Sequence, residues 1–273
     1  MNNHLERADA RTVLPGGRWS VNYGGRLDDY SDFGSHLSPR IGLIFQPFED
    51  TALKLLYNNA FRAPTISELH SSASSELRDL DPETLDSYEL VFIKQGKRWS
   101  AELVLFENHW DDGISVFESS RSGGVTYKNT GKNISQGLEA TFAWQTDEPW
   151  YFDLSGSYVK SRNRVTDTDY VMFPRVMASI GVGRKFETLG AEMYMANHFF
   201  SQVKDTSLST SEDLPLYWRT DLTFNKAYTN TLDLHINVIN LFNRKNQQPS
   251  VLLHPEGIAD ESFGVSVGFR YQL

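Results

Sequence analysis

The 273-residue chain has no cysteine. That excludes disulfide frameworks and thiolate metal sites, and it suits a protein of the cell envelope. No run of 18 apolar residues occurs, so a transmembrane helix is excluded. Residues 1–6 carry no apolar stretch of the kind a signal peptide needs. Basic residues are the minority: Lys+Arg 26 against Asp+Glu 35 give a net charge of -9. Nucleic acid is therefore not expected as a partner, since phosphate binding requires a basic face. Aromatic side chains, by contrast, are plentiful at 13% of residues, although only 40% are hydrophobic. A membrane protein built from strands has this balance, because only every second residue meets lipid.

Apolar and polar residues alternate almost throughout. Trp19, Val21, Tyr23 and Leu27 interleave with Ser20, Asn22, Arg26 and Asp28. Leu37, Ile41, Leu43 and Phe45 interleave with Ser38, Arg40, Gly42 and Gln46, and Leu53, Leu55, Tyr57 and Phe61 with Lys54, Asn58 and Arg62. The last segment is the cleanest, with Phe263, Val265, Val267, Phe269 and Tyr271 against Gly264, Ser266, Gly268 and Arg270. Strands are predicted near 19–29, 36–47, 51–62, 85–96, 98–110, 124–145, 149–163, 171–186, 188–201, 214–227, 231–242 and 261–273.

Alternation alone fits a soluble sandwich equally well. The connections separate the two. Those near 47–50, 95–98, 146–149, 187–190 and 227–230 are short; those near 63–84, 111–123, 164–170, 202–213 and 243–260 are long. Short periplasmic turns alternating with long extracellular loops mark outer-membrane barrels. Trp19, Phe45, Trp99, Trp144, Trp150, Trp218 and Tyr271 sit near predicted strand ends, where aromatic girdles belong. The predicted fold is therefore all-β: an antiparallel up-and-down transmembrane barrel wall of about 12 strands. Its first strand runs outward, its last inward, and its C-terminus lies at the periplasmic face.

Sequence blocks resemble a known family. Tyr57-Asn58-Asn59-Ala60-Phe61-Arg62-Ala63-Pro64-Thr65, followed by Glu68-Leu69, resembles the "FRAP" block of TonB-dependent outer-membrane receptors. Asp81-Pro82-Glu83-Thr84 with Ser87-Tyr88-Glu89-Leu90 resembles the segment that follows it. Asn129-Thr130-Gly131 with Gly137-Leu138-Glu139, and Asn237-Val238-Ile239-Asn240-Leu241-Phe242-Asn243, resemble two later strands. Ser266, Gly268, Tyr271 and Leu273 resemble the terminal signal read by the barrel-insertion machinery, with Leu273 where an aromatic is usual. The resemblance spans about residues 19–273. It implies that 1–273 is one domain, the C-terminal part of a roughly 22-stranded barrel. Nothing in these residues resembles the plug, the TonB box or the first barrel strands. The implied activity is uptake of a scarce ligand, foremost a ferric siderophore, with heme or cobalamin as alternatives. The implied partners are outer-membrane lipid, the ligand, and the plug and TonB complex in a full-length protein. No cofactor is implied.

The candidate ligand-binding residues are Arg62, His70, Tyr30, Phe33, Phe117 and Arg121. Arg62 is predicted inward near the outer rim, and a structural ion pair is its simpler role. His70 lies in the loop where heme receptors of the family carry a histidine. The loop aromatics and Arg121 suit an anionic aromatic chelate through stacking and cation–π contacts. Arg40, Lys54, Glu89, Glu139, Arg175 and Arg219 are predicted to face the lumen or plug, as are Asp153, Asp221 and Arg270. Such charges require partners or water. No catalytic constellation and no Gly-x-Ser-x-Gly elbow is present, so the chain is not expected to be an enzyme, and no metal site is expected. Two readings compete from other classes: a passive pore, and a small outer-membrane phospholipase. The latter requires a Ser–His pair on adjacent lipid-facing strand ends.

Overall fold

A computed structural model of the chain describes residues 3–31, 34–70, 80–118, 125–147, 149–171, 173–203, 213–229, 231–248 and 257–271. The elements run β1 (Asn3–Val13), β2 (Trp19–Tyr30), β3 (Gly34–Phe48), β4 (Thr51–Arg62), α1 (Ile66–His70), β5 (Glu83–Gln95), β6 (Trp99–Glu118), β7 (Val125–Gln145) and β8 (Trp150–Asn163). They continue with β9 (Thr168–Tyr170), β10 (Val176–Phe186), a 3-10 turn (Glu187–Leu189), β11 (Ala191–Phe200), β12 (Tyr217–Ala227), β13 (Leu232–Ile239), β14 (Gln247–Gln248), β15 (Ile258–Ala259) and β16 (Gly264–Tyr271). One 14-stranded sheet takes them in the order β1-β2-β3-β4-β5-β6-β7-β8-β10-β11-β12-β13-β16, with β9 against β8. Strands β14 and β15 form a separate ribbon. The fold is thus all-β, antiparallel and up-and-down, and each of the twelve predicted segments holds a strand of the main path. No helix among the described residues is long and apolar enough to cross a membrane.

The chain forms two compact units, residues 1–92, 104–137 and 160–169, and residues 93–103, 138–159 and 170–273. In the first unit, the β2–β3 register sets Trp19 opposite Phe45, Val21 opposite Leu43 and Leu27 opposite Leu37. The same register puts Arg26 opposite Ser38 and Asp28 opposite His36 on the other face. The next ladder continues both faces, with Leu43 opposite Leu55 and Arg40 opposite Asn58. Pro47 lies where the β3–β4 register shifts, between Phe45 and Phe48. A residue without an N–H is tolerated at such a bulge. In the second unit, Phe152, Val182, Met195, Leu222 and Val238 follow one another across the ladder on one face, and Asp153, Gly181, Ala196 and Asp221 on the other.

Burial is inverted relative to a soluble protein. Large apolar residues of the strands are exposed, among them Leu55 57%, Ile180 52% and Phe269 70%. The buried polar set includes Asp28 2%, Glu83 7%, Thr220 2% and Asn240 1%. A soluble chain gains its stability by hiding such apolar groups. The strands of the main sheet leave one face apolar and bare, as contact with hydrocarbon requires.

Four features depart from the sequence expectation. Strand β1 was not expected. Its residues opposite Leu27, Tyr23 and Val21 are Glu6, Ala10 and Thr12, so the apolar signal is missing there. The β2–β3 connection, residues 31–33, is short although it lies at the same end of its ladder as the long 63–82 connection. Strand β6 runs on to Glu118 instead of ending at 110, and β13 stops at Ile239, where Asn240 turns with φ 51°.

Candidate functional site

The long connection after β4 begins with a capped helix. The Thr65 amide donates to Glu68 Oε2 at 2.6 Å, and the Glu68 amide donates to Thr65 Oγ1 at 3.3 Å. This reciprocal pair is a capping box, legible in Thr65-Ile66-Ser67-Glu68. It sets Glu68 beside Arg62, the last residue of β4. Arg62 donates from Nε to Glu83 Oε2 at 2.6 Å, and from Nη1 and Nη2 to the two Glu68 oxygens at 3.0 and 3.2 Å. The Ile114 amide of β6 donates to the remaining oxygen, Glu83 Oε1, at 2.7 Å. One guanidinium thereby ties α1, β4 and β5 together, and Glu83 reaches on to β6. Burial pushes the Glu68 carboxyl up, but Arg62 and the Thr65 amide hold it below its ordinary value overall. Pro64 is fully buried at the base of the helix.

The same end of this unit is further stitched by side chains. Asn129 accepts from the Asp81 amide at 2.9 Å and donates to the carbonyl oxygens of Asp81 and Asp112. Tyr57 and Asn59 both donate to Asp86, at 2.7 and 2.9 Å. Phe61, expected among the apolar set, has its ring 4.3 Å from that of His36 and 5.6 Å from the Arg26 guanidinium. Both of those residues belong to the polar register of β2 and β3. The last β3–β4 pair is Arg40 with Asn58, so strict alternation ends before Phe61.

A second cluster stands at the long-connection end of the other unit. Tyr217 opens β12 and donates to Asp260 Oδ2 at 2.5 Å, and Arg219 donates to the same oxygen at 3.4 Å. Arg219 also donates from Nε to Asp221 Oδ2 at 3.1 Å. Gln248 donates to Asp260 Oδ1 at 3.0 Å. Burial raises the Asp260 carboxyl, but Tyr217, the Glu261 amide, Arg219 and Gln248 together draw it below its ordinary value. The Phe200 and Tyr217 rings stack with centroids 4.6 Å apart. Asn240, 1% exposed, donates to the Arg244 and Glu261 carbonyls and accepts from the Arg244 amide. Its side chain thus joins residues near the two ends of the long connection.

The structure distributes the other predicted residues as follows. Arg40 pairs with Asp9 of β1, a partner not foreseen because β1 was not. Tyr30 ends β2 with its ring 6.1 Å from Phe61. Lys54 lies opposite Ile44 in the β3–β4 ladder. Glu89 accepts from Ser87 at 3.4 Å. Glu139 lines a cavity of about 300 Å³ with Ser155, Ser179 and His198. The Arg175 carbonyl accepts from the Val159 amide at 2.9 Å. His70 ends α1 and Phe117 lies in β6; the placement of their side chains, and Phe33 and Arg121 altogether, lie outside the described residues. Glu83, Asp260 and Tyr217 were missed as site residues. Glu83 had a signal, since it belongs to the Asp81-Pro82-Glu83-Thr84 block and opens β5.

Ser179 Oγ lies 3.3 Å from His198 Nδ1 on the neighbouring strand, and His198 Nε2 lies 3.8 Å from Asp221. This is the kind of pair a barrel phospholipase requires, but it stands on the wrong face. Ser179, His198 and Arg219 share the polar register. Asp221 is already engaged by Arg219 and by the Asn240 amide at 2.9 Å. Among the described residues no group of three or more His, Cys, Asp and Glu is arranged to hold a metal ion.

Comparison with known proteins places these features in context. A family described as "TonB dependent receptor-like, beta-barrel" matches residues 9–241. Among solved structures, the ferripyoverdine receptor of the Pseudomonas aeruginosa outer membrane, bound to ferripyoverdine, superposes with a TM-score of 0.81 at 16% identity, over 98% of this chain and 38% of that one. The FrpB iron transporter from Neisseria meningitidis gives 0.79 at 17% identity, over 98% and 44%. The copper transporter OprC gives 0.81 at 15% identity, over 98% and 47%. The chain thus spans less than half the length of each of these proteins, and at these identities the likeness is one of fold.

Proposed function

The chain belongs to the TonB-dependent receptor family, whose members are receptors and transporters of the outer membrane rather than enzymes, and on that premise we propose that residues 1–273 are the C-terminal part of a barrel wall importing a ferric siderophore. The observation that carries this reading is the pair of polar clusters at the long-connection ends. Each holds an arginine between carboxylates, and the second sets the stacked Phe200 and Tyr217 rings beside Arg219. Rings and a guanidinium at one rim suit a chelate that is both aromatic and anionic. The ferripyoverdine receptor among the structural neighbours supports the same ligand class. In this reading the apolar face meets outer-membrane lipid and the polar face meets a plug. Energy comes from the TonB complex, and the barrel-insertion machinery places the strands.

The test is growth. Cells stripped of their own iron-chelate receptors would carry the native gene with its upstream reading frame. Growth on ferripyoverdine or ferric enterobactin as the sole iron source, lost when TonB is deleted, is expected. Growth on hemin alone would move the ligand to heme. TonB-independent leakage of small solutes would replace the receptor with a pore.

A further inference from the structure

Two cations stand on the apolar face of the second unit, at the end carrying the short turns. Arg184 lies opposite Trp150 and Met193, in line with Val182 and Ile180. Its guanidinium is held between two rings, 5.0 Å from the Trp150 centroid and 4.9 Å from Phe186. Its Nε is buried and has no acceptor among the described residues. Lys226 faces the same way, opposite Ala191 and Leu234. Its Nζ lies 5.2 Å from the Tyr228 centroid and donates to the Leu189 carbonyl at 2.8 Å. Neither cation meets a carboxylate among the described residues.

The register fixes their spacing. Phe186 lies opposite Ala191, and Ala191 opposite Lys226. The strands bearing Arg184 and Lys226 are therefore two strand spacings apart, about 10 Å, and Lys226 stands two residues, about 7 Å, further along the strand than Phe224, which is in register with Arg184 through Met193. Between them Ala191 is small and 8% exposed, which leaves a low floor flanked by rings. A cation on a hydrocarbon-facing surface is costly unless an anion or water reaches it. The rings beside the guanidinium fix its position but leave its Nε donor without an acceptor among the described residues. A phosphodiester supplies both the charge and the acceptor oxygens. Its acyl chains would run along the apolar residues of the same strands, Val182 and Ile180 on β10 and Leu222 on β12.

We propose that Arg184 and Lys226, with Trp150, Phe186 and Tyr228, form a site for the phosphate headgroup of an acidic phospholipid in the leaflet at the short turns. The proposal rests on the reading that this face meets lipid. It differs from general lipid contact in naming a headgroup and two cations that select it.

The refolded chain in detergent supplies the test. Native mass spectrometry reads the lipid retained from equal amounts of phosphatidylglycerol and phosphatidylcholine. The chain is expected to retain phosphatidylglycerol preferentially. Lys226→Gln and Arg184→Gln should each lower that retention roughly fivefold, the effect of about 1 kcal/mol per basic residue near a membrane surface. Arg162→Gln, at an exposed pair with Asp167, should leave it unchanged. Heat-modifiable migration of each variant checks that it folds, and Lys226→Gln keeps the test decisive if the arginine variant does not. Equal retention of the two lipids, or unchanged retention in folded variants, overturns the site. Displacement of the lipid by excess inorganic phosphate also overturns it, by making the occupant a soluble anion. Failure of the unmodified chain to gain protease protection in phosphatidylcholine vesicles would instead overturn the membrane reading beneath it.

Discussion

The two faces of the strands solve opposite problems with the same backbone. On one, Leu55, Ile180 and Phe269 stand half or more exposed, and no second layer of protein covers them among the described residues. On the other, charges are compensated locally: Arg26 by Asp28 at 2.7 Å, Arg40 by Asp9, Arg62 by Glu68 and Glu83, and Arg219 by Asp221 and Asp260. The strand pleat sends successive side chains to opposite sides, so one chain can meet two solvents at once. The comparison also shows where function concentrates. The apolar face carries hydrocarbon side chains along the middle of the strands and admits Arg184 and Lys226 near the short turns, while the polar face gathers arginine–carboxylate networks at the long-connection ends.

The largest expected effect comes from placing a charge on the wrong face. Ile180→Arg should cost about 2–4 kcal/mol of folding stability in lipid vesicles. Its neighbour Ser179→Arg, on the polar register, should cost far less. Urea titration of both variants in vesicles reads the difference, and equal losses would break the distinction between the faces. Next is Glu83→Ala, which leaves Arg62 with one carboxylate partner and removes the side-chain acceptor of the Ile114 amide. A loss of about 2 kcal/mol is expected, because Glu83 is buried and half-exposed Arg62 keeps water on one side.

A pH experiment sharpens the polar side. The Glu68 and Asp260 carboxyls are both held below their ordinary values in the folded chain. Their contribution is therefore complete above the ordinary carboxylate range and is lost as pH falls through the lowered folded values. Hydrogen exchange at the Thr65 amide, which donates to Glu68, should speed up on acidification before strand amides such as that of Gly181 respond. Simultaneous loss would tie the clusters to global unfolding instead. The smallest effect is expected at Arg162→Ala, whose partner Asp167 is 76% exposed. A change within about 0.5 kcal/mol would be typical of such a pair.

How far these faces were legible depended on what each strand presents to lipid. Strand β16 alternates Val265, Val267, Phe269 and Tyr271 with small or polar residues, and its pairing with β13 matches apolar to apolar, Ile236 with Val267 and Leu234 with Phe269. Strand β1 carries the opposite pattern. Leu5 and Val13 fall in the polar register, opposite Asp28 and Ser20, while Glu6 lies opposite Leu27. Periodicity fails there because pairing, not hydrophobicity, defines the strand. The extension of β6 was hidden by Asp111-Asp112-Gly113, a run that reads as a turn. In the structure Asp112 takes φ 56° without ending the strand, and the Trp110 ring occupies the space a Cβ on Gly113 would need. Of the clusters, Arg62, Arg219 and Asp221 were readable as charges of the polar pattern. Two of their partners were not: Glu83 reaches Arg62 from another strand and Asp260 reaches Arg219 from a distant loop, contacts that only the fold brings together.

Spin-label accessibility along β10 tests the central claim most directly. Single cysteines would be introduced in turn from Val176 to Arg184 in the cysteine-free chain, which is then folded into vesicles. Collision rates with oxygen, which concentrates in hydrocarbon, and with a water-soluble nickel chelate would be measured at each position. The account predicts a strict period of two: oxygen preferred at Val176, Ala178, Ile180 and Val182, and nickel at Met177, Ser179, Gly181 and Gly183. Uniform exposure to nickel along the strand would contradict it.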